Sequence, residues 1–397
     1  MTHLMATYRT PTVRFVAGHG CRLVDDAGRT YLDFLSGLGV TGLGHADPVV
    51  AGAIAAQASR LLHVSNIFAN EFNEDVAAQI DELIGDGSPA GGQVFFANSG
   101  AEANECAIKL ARRWGGPGRY GVVSALGSFH GRTLATLHAT GQPAKHEALL
   151  PLPEGFSHVP YGDAGALRSI DAGRVAAVLL EPILGESGVV PPPRGYLADV
   201  RAICDELGLL LIVDEIQTGL GRTGRWFAFQ HEKVAPDIVT VAKALGNGVP
   251  VGACWARAEI AKAFQPGDHG STFGGQPLAM AAAQATLRRL RALDAPAVAA
   301  ELGERLKTRL ARVDGVAAVR GSGFLLGVVL ADGIDARAVF SEALIGGLVV
   351  NAPAPGVIRL MPPFVVTAED CDEAVELLAD AIARVREAGR TGEKETL

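Results

Sequence analysis

The chain has 397 residues, 48% of them hydrophobic and 20% charged, which is enough to bury more than one core and makes two domains the expectation. Its net charge of −8, with no Lys- or Arg-rich run, argues against a phosphate-backbone footprint, so no nucleic-acid partner is expected. No apolar run reaches a bilayer span, the start MTHLMATYRTPTVRF lacks the apolar stretch of a secretory signal, and the five cysteines include no C-x-x-C pair; the expectation is a cytoplasmic protein with reduced thiols and no membrane role.

In chain order, residues 15–34 read as a β-hairpin, because CRLVDD and TYLDF flank the turn-forming Ala27-Gly28-Arg29. Short apolar runs bounded by turn residues then predict strands at 93–96, 120–124, 175–180, 209–213, 238–241 and 251–255. Helical patterns such as 101–114 and 195–207 lie between many of them, the alternation of a mostly parallel α/β sheet. After Leu293 the texture changes. Helical stretches at 297–313, 336–345 and 368–388 alternate with strands at 316–320, 325–330 and 357–359, which predicts a smaller α/β domain. The expected organisation is an N-terminal segment 1–47 packing with the small domain, a large ligand-binding domain 48–292 and a small domain 293–397. Disorder is expected only at the tips, 1–7 and 390–397.

The most informative residue is Lys243, in LLLIVDEIQTGLGRTG...PDIVTVAKALGNG. The apolar run 209–213 delivers Asp214 at its carboxyl end, and 238–242 delivers Lys243 in the same way. Ligand sites of open α/β sheets lie at such ends. An amine and a carboxylate there suit pyridoxal phosphate, whose Schiff-base lysine and pyridinium counter-ion they would be; an ordinary ion pair at the sheet rim is the alternative. Strand 93–96 runs into Asn98-Ser99-Gly100-Ala101 and then a helix, so free N–H groups at the helix start could hold a phosphate, or Ser99 could simply cap. Phe129 could stack on a cofactor ring or belong to the core, and Arg132 could clamp a carboxylate or make a surface ion pair. A literal G-x-G-x-x-G at Gly219, Gly221 and Gly224 neither leaves its strand directly nor opens a helix, and is read as a false match. No metal site is indicated.

Side by side, YLDFLSG, GLGHADP, FFANSGAEANECAIKLAR, FHGRTLATLHATGQPAK, VLLEPILGESGVV, LLLIVDEIQTGLGRTG, DIVTVAKALGNGVPVGA, HGSTFGGQPLA, VRGSGFLLGV and VNAPAPGVIRLMPP make the chain resemble the class-III aminotransferases of fold type I, over nearly its whole length. Within that family the likeness is nearest to the acetylornithine aminotransferases. The resemblance implies a mostly parallel seven-stranded sheet, pyridoxal 5'-phosphate as cofactor, and a homodimer with shared active sites. It implies that Lys243 bonds the cofactor, Asp214 holds the ring nitrogen protonated, and Gln217 reaches the ring oxygen. Ser99, Gly100 and Ala101 would bind phosphate, Phe129 would stack, and Thr272 would reach the neighbouring subunit's phosphate. Arg132, Glu186, Arg359 and Ser271 would meet the substrates, N-acetylornithine and 2-oxoglutarate or glutamate; ornithine, succinylornithine, γ-aminobutyrate or a lysine-pathway amine are the rival donors. Leu184 and Ser187 depart from the Gln and Gly usual around the Gly-Glu pair, which bears on pocket shape.

Overall fold

The structure, a computed structural model, describes residues 3–394. The expected hairpin is one half of a three-stranded antiparallel meander: β1 (Phe15–His19), β2 (Arg22–Asp25) and β3 (Thr30–Asp33). Asp25 tightens the β2–β3 turn, its Oδ1 accepting from the amides of Ala27 at 3.0 Å and Arg29 at 2.8 Å.

The central sheet has seven strands: β4 (Gly92–Ala97), β5 (Gly121–Ala125), β6 (Phe156–Val159), β7 (Val175–Leu180), β8 (Leu210–Asp214), β9 (Ile238–Val241) and β10 (Gly252–Arg257). Their order is β4-β10-β9-β8-β7-β5-β6. Strands β6, β5, β7, β8 and β9 run parallel, while β10 is antiparallel to both its neighbours. Strand β10, expected as part of the parallel alternation, is reversed because only residues 242–251 separate it from β9, whereas a parallel return needs about a dozen or more. An apolar run predicts a strand without its direction.

Every residue of β7, β8 and β9 is buried, as befits strands covered on both faces, and each buried Val or Leu contributes about 1.5–3 kcal/mol. Polar chemistry is thereby confined to the strand ends. The helix Gly100–Gly115 follows β4; Ser99 caps it by accepting from Glu102 N at 3.2 Å, and its Ala103, Ala107, Ile108, Leu110 and Ala111 are buried. Strand β10 must begin with glycine, since a Cβ on Gly252 would lie 2.4 Å from the Ser99 carbonyl oxygen.

Beyond the helices Pro277–Ala292 and Ala295–Leu310 come β11 (Val316–Ser322), β12 (Leu325–Leu330), β13 (Leu348–Val349), β14 (Asn351–Ala354) and β15 (Val357–Leu360). Four of them form an antiparallel sheet, β11-β12-β15-β14, whereas β13 pairs in parallel with β3. Two further backbone bonds stitch the same ends together, Met361 N to Phe34 O at 2.7 Å and Phe364 N to Gly42 O at 2.7 Å. Gly219 to Gly224 form turns rather than a helix start. Of the tips expected to be disordered, Met1, Thr2 and residues 395–397 lie outside the described residues, and the last helix, Ala368–Lys394, continues past Arg390. Among the described residues no helix is long and apolar enough to cross a membrane, and no cluster of His, Cys, Asp or Glu could hold a metal ion.

Candidate active site

The registers Leu180↔Val213 and Asp214↔Thr240 bring three strand ends level, so Glu181 after β7, Asp214 at the end of β8 and Lys243 just beyond β9 open onto one cavity of about 450 Å³. This is the juxtaposition the two apolar runs predicted. It is also where a doubly covered sheet first admits polar groups.

Asp214 is almost fully held. Its Oδ2 accepts from Asn104 Nδ2 at 2.8 Å and from His130 Nδ1 at 2.9 Å, and its Oδ1 accepts from Ile216 N at 3.0 Å. Asn104 is fixed in turn by donating to the His130 carbonyl at 2.8 Å and accepting from Thr240 Oγ1 at 2.8 Å. A carboxylate accepts only, so the His130 proton toward Asp214 sits on Nδ1; His130 Nε2 is buried and without a hydrogen-bond partner among the described residues.

Lys243 starts a short 3-10 turn, Lys243–Gly246, with φ of +44°, a left-handed conformation that costs a lysine on the order of 1–2 kcal/mol. Burial pulls its pKa down to about 8; the Glu186 carboxylate opposes the shift and the Arg359 guanidinium adds to it. Much of its population is therefore a free amine at mildly alkaline pH.

Glu186 also lines the cavity, and Arg359, outside the lining, is paired with it. Arg359, on β15, is fully buried, with Nη1 2.7 Å from Glu186 Oε1, 3.0 Å from Gln217 Oε1 and 3.2 Å from the Gly185 carbonyl, and Nε 3.1 Å from Asn351 Oδ1. Its Nη2 has no partner among the described residues. Burial raises the Glu186 carboxyl, but Arg359 and its hydrogen bond outweigh that and leave it below the usual carboxylate range. Gln217 spans the pair, since its Nε2 also lies 3.4 Å from Glu186 Oε1. A Cβ on Gly185 would come within 2.1 Å of Gln217 Oε1, so this close approach requires glycine. Of the two departures, Leu184 is buried and Ser187 donates to the Gly127 carbonyl at 2.5 Å, pinning the Glu186 loop to the segment before Phe129.

Ser99, Gly100, Ala101, Phe129 and Arg132 also line the cavity. Arg132 is exposed, with its guanidinium 5.5 Å from the Phe129 ring centre. Ser271 and Thr272 lie outside it: Ser271 Oγ accepts from Asn98 Nδ2 at 3.1 Å and from Gly274 N at 3.0 Å, and Thr272 is exposed. The donor set fits a flat, phosphorylated heterocycle: a helix start for the anion, an aromatic ring in the wall, a held carboxylate and a deprotonable amine.

The family described as Aminotransferase class-III matches residues 5–382. The chain belongs to the class-III aminotransferases. Among the relatives of this aminotransferase, the acetylornithine aminotransferase of Corynebacterium efficiens is 48% identical over 388 residues, spanning 96% of this chain and 95% of its own. That of Methanothermobacter thermautotrophicus is 46% identical over 384 residues, spanning 96% of each. Of solved structures, the ornithine aminotransferase from Toxoplasma gondii superposes with a TM-score of 0.91 at 34% identity, covering 97% of this chain and 94% of its own. An amine transaminase from an uncultivated Pseudomonas species in its PLP-bound form gives 0.89 at 29%, covering 97% and 98%. The mixed seven-stranded sheet with helices is the fold-type I α/β architecture.

Three polar residues of this aminotransferase's cavity or its support have no assigned role in the sequence reading: Asn104, His130 and Glu181. The signal for Asn104 was its place one turn into a helix that opens at the strand ends. His130 adjoins Phe129, and Glu181 ends an apolar run just as Asp214 does.

Proposed function

We propose that this aminotransferase uses pyridoxal 5'-phosphate to move the δ-amino group of N2-acetyl-L-ornithine to 2-oxoglutarate, yielding N-acetyl-L-glutamate 5-semialdehyde and L-glutamate, a step of arginine biosynthesis. The names of relatives at 45–48% identity support the reaction, and the PLP-bound neighbour supports the cofactor. When bound, the cofactor supplies an electron sink for the carbon that loses its proton. Asp214 keeps a proton on the ring nitrogen, oriented by Asn104 and His130. Ser99 and the amides of Gly100 and Ala101 take the phosphate, joined by Thr272 of a second protomer in a homodimer. Phe129 covers the ring, and Gln217 serves the ring oxygen as well as Arg359. Lys243 Nζ would remove the proton from the substrate carbon and deliver it to the cofactor, a task its lowered pKa suits.

Arg132 takes the far carboxylate of either substrate, and Ser271, outside the cavity, bears on it through Asn98. Arg359 takes the α-carboxylate of glutamate or 2-oxoglutarate once Glu186 releases it, and Glu186 covers it while acetylornithine is bound, so no buried charge stands unpaired in either half of the cycle. The observation that carries this reading is that the cavity lining holds both an exposed arginine, Arg132, and Glu186, which neutralises a second, buried arginine, Arg359, at 2.7 Å. Steady-state rates with acetylornithine, succinylornithine, ornithine and γ-aminobutyrate, each with 2-oxoglutarate, test it. Acetylornithine should give the highest kcat/KM; a higher value with another donor would move the assignment to that amine.

A further inference from the structure

Glu181 takes no part in the roles assigned above, yet it is the third ionisable group at the three level strand ends. It is buried at 6% exposure and lines the cavity. Its two oxygens are committed separately: Oε2 accepts from the Phe129 amide at 2.8 Å and Oε1 from the Gly185 amide at 3.2 Å. One carboxylate therefore ties the backbone of the ring-covering residue to the loop whose next residue, Glu186, meets Arg359. Asp214 stands beside it on β8, His130 comes from the loop after β5, Lys243, just beyond β9, and Glu186 line the same cavity, and Arg359 is paired with Glu186.

We propose that Glu181 is a positioning residue that clamps Phe129 to Gly185 and whose negative charge acts on the Lys243 amine. Burial, opposed by His130 and reinforced by Asp214, pushes its carboxyl up to about 7, so it is largely ionised by the time Lys243 titrates. The sign follows. An anion in the same cavity favours the ammonium form of Lys243, and removing it makes the amine lose its proton at lower pH. At an effective dielectric of about 20, one charge in a shared cavity is worth up to about one pH unit, and Glu181 acts on the amine alongside Glu186, Arg359 and Asp214. Glu181 thereby supplies a field that switches on near neutrality.

The inference rests on the assignment of Lys243 as the proton-moving amine. Its test is the pH midpoint of Lys243 in the full chain freed of cofactor, read as the rate of reductive methylation by formaldehyde and cyanoborohydride with peptide mass mapping. Glu181→Gln should lower that midpoint by about one unit, and the visible band of the cofactor-loaded variant should shift its midpoint in the same direction. Glu181→Asp keeps the charge and draws it back from the Phe129 amide. It should hold the midpoint near the wild-type value while amide exchange at Phe129 quickens, and it serves alone if the glutamine variant does not fold. An unchanged midpoint in Glu181→Gln, or a full unit's fall in Glu181→Asp, overturns the proposal. Borohydride fixing the cofactor to a lysine other than Lys243 would instead overturn the functional assignment, and leaves the coupling measured without cofactor untouched.

Discussion

The two walls of the cavity are built on opposite plans. On the Asp214 side both carboxylate oxygens and both ends of the Asn104 amide are matched, His130 Nε2 alone standing without a partner among the described residues, and Asp214, Thr240 and Asn104 come from β8, β9 and the helix packed on them. On the Arg359 side the guanidinium is just as buried, but it leans on a side chain from a loop, Glu186, keeps Nη2 unsatisfied, and arrives from a different sheet. A charge that must stay put through a reaction is over-determined. The Arg359 charge is balanced by a single loop carboxylate.

That contrast can be broken or sharpened by substitution, starting at Lys243, which faces both walls. Lys243→Ala should abolish turnover while the protein stays folded and holds cofactor without a covalent bond; borohydride reduction with peptide mapping should label Lys243 in the parent and nothing in the variant. Asp214→Asn keeps shape and removes charge, and should cost turnover about a hundredfold to a thousandfold with equal loss in both half-reactions, because the fixed wall serves both. Unequal losses there would erase the distinction between the walls.

Arg359→Ala should instead split the half-reactions. Removing one partner of a buried pair costs about 2–5 kcal/mol, so the glutamate half should slow roughly 30-fold to a few thousandfold while the acetylornithine half is largely spared. Glu186→Ala should shift preference toward α-amino donors. Single-turnover absorbance changes with each donor separate these outcomes from parallel losses, which would reduce the pair to a structural contact. The smallest effect is in pH. With a pKa of about 8, Lys243 is uncharged in about a tenth of molecules at pH 7 and about nine-tenths at pH 9, so cofactor capture by the cofactor-free chain should rise about tenfold over that interval and then level off. Stopped-flow absorbance gives the profile, and a flat line across it would contradict the lowered amine.

Lys243 and Asp214 were legible because a strand buried on both faces is a continuous apolar run, and the first polar residue after it has nowhere to be but the sheet's ligand edge. Arg359 and Glu186 were legible only through motif likeness; no local pattern announces that β15, in another sheet, brings Arg359 to a carboxylate of the cavity. Asn104 and His130 were missed for a related reason, since each is an ordinary residue of its own element until the fold sets it 2.8 or 2.9 Å from Asp214. The reversal of β10 and the strands β13 and β14 escaped because direction depends on connection length, and because two residues, or Asn-Ala-Pro-Ala, carry too little β signal.

The pairing of β3 with β13, and of Phe34 and Gly42 with Met361 and Phe364, has a consequence in time as well as space. A ribosome releases the first forty residues long before the last fifty, so the N-terminal strands must wait, docked to nothing of their own sheet's far edge, until residues 348–364 emerge. Val40 lines the cavity and Arg359 pairs with its Glu186, so the same wait applies to the pocket. A nascent chain halted before β13 would carry Asp214 and Lys243 at their strand ends and still leave Glu186 without its arginine.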